Sequence, residues 1–207
     1  MYGGLKDDIK KSLNKAKNEF EEKYQNRLYE SLARAMNKNP SDINFANTIL
    51  YLDDYITAKA NGQRIPYTLD FQTETLIDEY YTHYYERGLF GDTALTRVFT
   101  SSYFTNLGKE LLAKHTAMTE GKNADKFIRE LKHAVHVSND QTFAAVMHQL
   151  GERHGPRPSF ARQVDWVFFE RGGEFYVKAE SDGHPLRLEG NANEAGEVEL
   201  GIFMEYL

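Results

Sequence analysis

The chain has no cysteine, so no disulfide framework and no thiolate metal site can hold it together. It has only 5 prolines and 1 tryptophan, which sets aside proline-rich linker architectures. Basic residues are outnumbered, 25 against 31, for a net charge of −6, and such a surface does not suit generic binding to nucleic acid. No apolar run approaches the roughly 18 residues of a membrane span, and the start MYGGLKDDIKK lacks an apolar signal region. We therefore expect no membrane span and no secretory signal. The absence of cysteine points to an intracellular location, cytoplasm or organelle, a mitochondrion among them.

What is present is enough for a core. Of 207 residues 41% are hydrophobic and 27% charged, with both signs mixed. Residues 5–39 read as one long amphipathic helix, because Leu5, Ile9, Leu13, Ala16, Phe20, Tyr24, Leu28, Leu32 and Met36 recur every three to four positions. The stripe is narrow over the first turns, where Lys10, Lys11, Lys15, Lys17, Glu19, Glu21 and Glu22 dominate. It suits either a seam against another chain or an ordinary surface helix. Pro40 stops it, and Ser41 or Asp42 is expected to cap a second helix that runs to about Ala60 and ends at Asn61-Gly62. The neighbouring carboxylates Asp53 and Asp54 point apart on that helix, which argues for solvation or ion pairing over catalysis.

A tyrosine-rich helix over 71–87 carries Tyr80, Tyr81, His83, Tyr84 and Tyr85, a band better suited to core packing than to stacking on a ligand. Residues 92–118 are expected to form a helical pair bent at Gly108, followed by a polar linker at 119–123 and a short helix at 124–131. Residues 132–151, KHAVHVSNDQTFAAVMHQLG, then change character. His133 to Val137 could fill a buried strand, Ser138, Asn139 and Asp140 make a capping turn, and Phe143, Ala144, Val146, Met147 and Leu150 repeat at helical spacing up to Gly151. Further on, residues 164–169 and 174–179 are joined by Arg171-Gly172-Gly173 as a tight hairpin. Residues 185–188 fit an edge segment, 189–197 a loop, and 198–207 a closing helix.

The turn Val137-Ser138-Asn139-Asp140-Gln141 resembles the second active-site motif of the histidine acid phosphatases, in which a strand ends in Ser-Ala-His-Asp-Thr and a helix follows. The hairpin from Trp166 to Val177 is similar to that family's late hairpin. Leu52-Asp53-Asp54-Tyr55-Ile56, the turn at residues 61–66 and the helices to about Leu112 look like its helical cap. The resemblance spans residues 40–207 and implies a helix-rich α/β fold: a partial phosphatase-like sheet with a helical cap and a long N-terminal helix. It divides the chain into the helix at 1–39, a cap-like region at 40–131 and a partial α/β core at 132–207.

Two departures shape the function that the resemblance implies. Asn139 stands where the family has a phosphate-contacting histidine, and an amide supplies no positive charge, although Asp140 matches the proton donor. Nothing before Asn139 resembles the family's Arg-His-Gly-x-Arg-x-Pro nucleophile motif, and without a nucleophile there is no phospho-enzyme. Arg153-His154-Gly155-Pro156-Arg157-Pro158 spells most of that motif, but it follows a helix, lies after Asp140 and brings its second proline one residue early. We read it as coincidence, with a circularly rearranged site as the alternative.

The expected protein is a non-catalytic pseudoenzyme, with Asn139 and Asp140 a degenerate remnant. Strands apolar on both faces, in a sheet lacking half its members, call for other protein subunits to complete it. Leu5, Ile9, Leu13, Phe20, Val135, Val137, Trp166 and Phe168 are the interface candidates. The alternatives are one half of a split phosphomonoesterase with Asp140 as acid, or a phosphate-binding module at the Asn139 turn. No cofactor is called for, and His133, His136, His148 and His154 lack metal-ligand spacing.

Overall fold

The computed structural model describes residues 3–65, 67–121, 125–151, 162–186, 188 and 192–207. It is helix-rich with one small antiparallel sheet, and it divides into two compact units, one from the described residues up to Leu95 and one from those beginning at Thr96. The phosphatase resemblance suggests a three-part division instead. The two units are cut differently: the N-terminal helices share one aromatic core with residues 45–90, whereas residues 104–111 share theirs with the sheet.

In the first unit the expected single helix is two, α1 (Gly3–Tyr24) and α2 (Arg27–Ala35). Gln25 and Asn26 between them both take left-handed backbone, at φ 51° and 59°, and this breaks the helix without glycine or proline. A 3₁₀ turn follows at Pro40–Asp42, capped by Asn39. Helix α3 (Phe45–Ala60) is then capped by Asn44, not by Ser41 or Asp42. The Asn44 side chain accepts from the amides of Ala46 and Asn47, and Asn47 answers the amide of Asn44 in a reciprocal box. Helix α4 (Phe71–Tyr81) runs without a stop into a π-helix, Thr82–Leu89.

These helices meet in rings. Phe20 is fully buried and sits 5.9 Å from Phe45, 5.7 Å from Tyr80 and 5.4 Å from His83 by ring centroids. Tyr80 donates its hydroxyl to the carbonyl of Phe45 at 2.6 Å, and Tyr81 donates to Asp53 at 2.7 Å, so one of the paired aspartates holds the core's edge. His83 is buried, with Nδ1 2.8 Å from the carbonyl of Glu79. Helix α1 lies close along the π-helix at Gly88, where a β-carbon would meet Leu13 Cδ2 at 2.8 Å. Phe20 is therefore corrected from interface candidate to core residue, and Leu5, Ile9 and Leu13 are half-buried.

Helix α5 (Thr93–Thr119) is unbroken, and from Thr96 on it belongs to the second unit. The expected pair is one helix, with Gly108 inside it. That glycine makes room for Met204 and Leu207, which an added β-carbon would meet at 3.0 and 3.1 Å. Helices α6 (Lys126–Glu130) and α7 (Asp140–Gln149) follow. The hairpin is strands β1 (Val164–Arg171) and β2 (Glu174–Ser181), turning on Gly172 and Gly173 at φ 66° and 91°. Strands β3 (His184–Pro185) and β4 (Glu197–Glu199) share the other edge of β2, and α8 (Leu200–Tyr206) closes the chain. The expected closing helix thus gives its first residues to a strand.

One sheet face carries Trp166, Phe168, Val177, Ala179 and Val198 against Phe104 and Leu111 of α5, Val146 and Met147 of α7, and Phe203 of α8. Trp166 and Phe168 thus face this chain's own core, and the indole of Trp166 donates to the Tyr103 hydroxyl at 2.7 Å. One face of the sheet is thus covered by this chain's own helices. On the second face Phe169 stacks on Tyr176 at 5.7 Å, and Arg171 lies 4.6 Å over the Tyr176 ring while bridging Glu197 at 2.8 Å. No helix among the described residues is long and apolar enough to cross a membrane.

Candidate functional site

The segment between α6 and α7 is the main departure from the sequence reading. Residues 132–138 are not a strand: they pair with no strand among the described residues and are exposed throughout. A β-branched run becomes a strand only where an edge accepts it, and the sheet forms elsewhere, between β1, β2, β3 and β4. Here the run is instead fastened at its ends and its middle.

At the entrance Asp125 caps α6, accepting from the amides of Phe127 and Ile128 at 2.8 and 3.3 Å. Lys114 of α5 reaches the other end of α6. Its ammonium donates to the carbonyls of Ile128, Arg129 and Leu131 at 3.1, 2.6 and 2.8 Å, using all three of its protons on helix-end acceptors. Burial, then the nearby charge of Lys132, hold this amine below the ordinary lysine value. One turn earlier on α5, Glu110 lies 3.0 Å from His136 Nε2 and ties down the middle of the segment.

At the exit Asn139 caps α7. Its side-chain oxygen accepts the amide of Thr142 at 2.8 Å, and Asp140, half-buried, accepts the amide of Gln141 at 2.9 Å. The two remnant residues are therefore neighbours on a helix start, each with an oxygen engaged by backbone. The decoy stretch with Arg153, His154 and Arg157 lies outside the described residues, as do Pro66 of the earlier turn and Arg187 of the edge segment. Among the described residues no three His, Cys, Asp or Glu side chains converge as metal ligands.

Between these anchors the apolar side chains face water. Val135 is 73% exposed and Val137 94%, and Phe127 on α6 is 71% exposed. Val135 and Val137 are thus open to solvent, whereas Phe20, Trp166 and Phe168 are packed against their own chain. Sequence reasoning missed Phe127, Glu110 and Lys114. The Glu-to-Lys spacing of four on α5 was the available signal, but it reads equally well as an ordinary intrahelical pair. No protein-family model matches this chain, and no curated protein matches it.

Proposed function

We propose that this chain is a non-catalytic, histidine-acid-phosphatase-like subunit of a larger protein assembly, and that it binds a neighbouring polypeptide through residues 132–138. The observation that carries the reading is the exposure of Val135 and Val137 on a segment fixed at both ends. Burying a valine side chain contributes roughly 1.5–3 kcal/mol, so leaving two in water on a tethered segment forgoes a sizeable stabilisation that a partner would recover. The tethering also lowers the ordering entropy that binding would otherwise cost. The remnant turn supports the non-catalytic part, since Asn139 is neutral and its oxygen serves the helix start.

The test is purification of the tagged chain with its native partners, in wild-type form and as Val135→Asp/Val137→Asp. The wild type is expected to co-elute with another polypeptide in fixed ratio and to leave para-nitrophenyl phosphate intact. The variant should elute without that polypeptide, at unchanged helicity. Equal co-elution of both forms, or hydrolysis by the purified assembly, overturns the reading.

A further inference from the structure

We propose that the polypeptide bound by residues 132–138 is a second copy of this chain, which adds the segment as a strand along the free edge of β1. The proposal rests on the reading above that this segment is an interaction site, and it adds the identity of the partner.

Two unsatisfied elements of the same chain complement each other. Among the described residues, residues 132–137 make no backbone-to-backbone hydrogen bond, although they hold four β-branched or imidazole side chains in His133, Val135, His136 and Val137. Among the described residues strand β1 pairs only with β2, so among them its other edge offers a row of amides and carbonyls. That edge is eight residues long, its register with β2 runs without a bulge, and it contains no proline, the devices by which an edge is ordinarily blunted. Its middle is apolar, from Trp166 to Phe169.

Charge agrees with the match. The segment begins with Lys132 and His133, whereas β1 carries a carboxylate near each end, Asp165 and Glu170. With Lys132 opposite Asp165 in a parallel strand Val135 lies opposite Phe168, and with Lys132 opposite Glu170 in an antiparallel strand it lies opposite Val167, so in either direction the lysine meets an acid and Val135 the apolar middle. Main-chain hydrogen bonds would supply affinity and the valines specificity, as in strand addition generally. Reciprocal exchange between two copies gives a closed dimer, and one-way exchange gives a longer series.

The cysteine-free chain makes the test direct. A full-length single-cysteine form, Val137→Cys, is mixed with Asp165→Cys, its partner in an antiparallel addition, or with Glu170→Cys, its partner in a parallel one, and mildly oxidised. We expect at least one mixed disulfide pair to exceed both self-pairs several-fold. Light scattering of the cysteine-free wild type should show mass rising with concentration, and Val135→Asp/Val137→Asp should stay monomeric. A wild type monomeric at all concentrations, with co-elution of a different polypeptide that depends on Val135 and Val137, overturns the second-copy proposal and leaves the interaction site standing. Self-association that survives the double aspartate variant also overturns it. If neither self-association nor co-elution depends on Val135 and Val137, the proposal and the underlying reading fall together.

Discussion

Lys114 on α5 donates a 2.8 Å hydrogen bond to the carbonyl of Leu131, the residue that leads into the exposed segment. The same ammonium also holds the carbonyls of Ile128 and Arg129, so one side chain closes the C-terminal end of α6, a helix only five residues long. So short a helix has little stability of its own. Replacing Lys114 with Met keeps the apolar stem and removes all three donors. The amides of residues 129–131 should then exchange with solvent roughly tenfold faster while those of α7 keep their protection. Unchanged exchange in K114M would mean that the segment is placed by something other than this lysine.

Asn139 is the N-terminal cap of α7. Asn139→Ala should cost about 1 kcal/mol in chemical unfolding of the second unit, and Asn139→Asp, which retains the acceptor, should cost little. Asn139→His restores the residue type of the phosphatase motif. It should resemble the alanine variant in stability and gain no hydrolysis of para-nitrophenyl phosphate. Activity in N139H would show that a competent site forms around this turn.

The parts of the fold that were legible are those written in local chemistry. Gly172 and Gly173 announced the hairpin because a two-residue turn needs positive φ, and Asn139 announced α7 because its oxygen suits an exposed amide. The break at Gln25 and Asn26 was not legible, since neither residue demands left-handed backbone; it lies between Phe20 and Tyr29, which meet in one ring cluster. Residues 132–138 misled for a related reason. Their β-branched pattern is real, but whether it becomes a strand depends on an edge that the sequence does not locate. Val135 and Val137 could be named as interface candidates from the sequence, whereas their anchors Glu110 and Lys114 depend on contacts 14 to 26 residues away.

Glu74 gives the first unit an acid-sensitive link. It accepts from Lys59 Nζ at 2.7 Å and from the Tyr55 hydroxyl, and these two bonds, the lysine's first, hold its carboxyl below the ordinary 4.5. Glu79 is lowered too, chiefly by the Tyr24 hydroxyl. A carboxylate with a depressed folded-state value stabilises fully above its unfolded value and loses that contribution as pH falls through the folded one. The thermal midpoint should therefore be flat from about pH 7 to 5 and fall below about 4.5. Glu74→Gln should lie lower than wild type at neutral pH and show a shallower acid limb. Parallel curves for E74Q and wild type would exclude Glu74 from that limb.

Gly88 and Gly91 flank the end of the π-helix and should respond differently to the same substitution. At Gly88 the nearest atom to an added β-carbon is Leu13 Cδ2 at 2.8 Å, the tip of a movable side chain, with the His83 carbonyl next at 3.1 Å. At Gly91 it is the carbonyl oxygen of Arg87 at 2.3 Å and the carbonyl carbon at 2.8 Å, both backbone and both part of the turn out of the helix. Leu13 can shift rotamer, and alanine regains some helix propensity, so Gly88→Ala should cost about 1 kcal/mol. The turn at Gly91 can only open, and Gly91→Ala should cost upwards of about 2 kcal/mol in urea unfolding. Because Gly88 is where α1 approaches, G88A should also loosen amide protection in α1, whereas G91A should act first on the π-helix itself. An equal cost for both variants would contradict the close contact with the Arg87 carbonyl on which the difference depends.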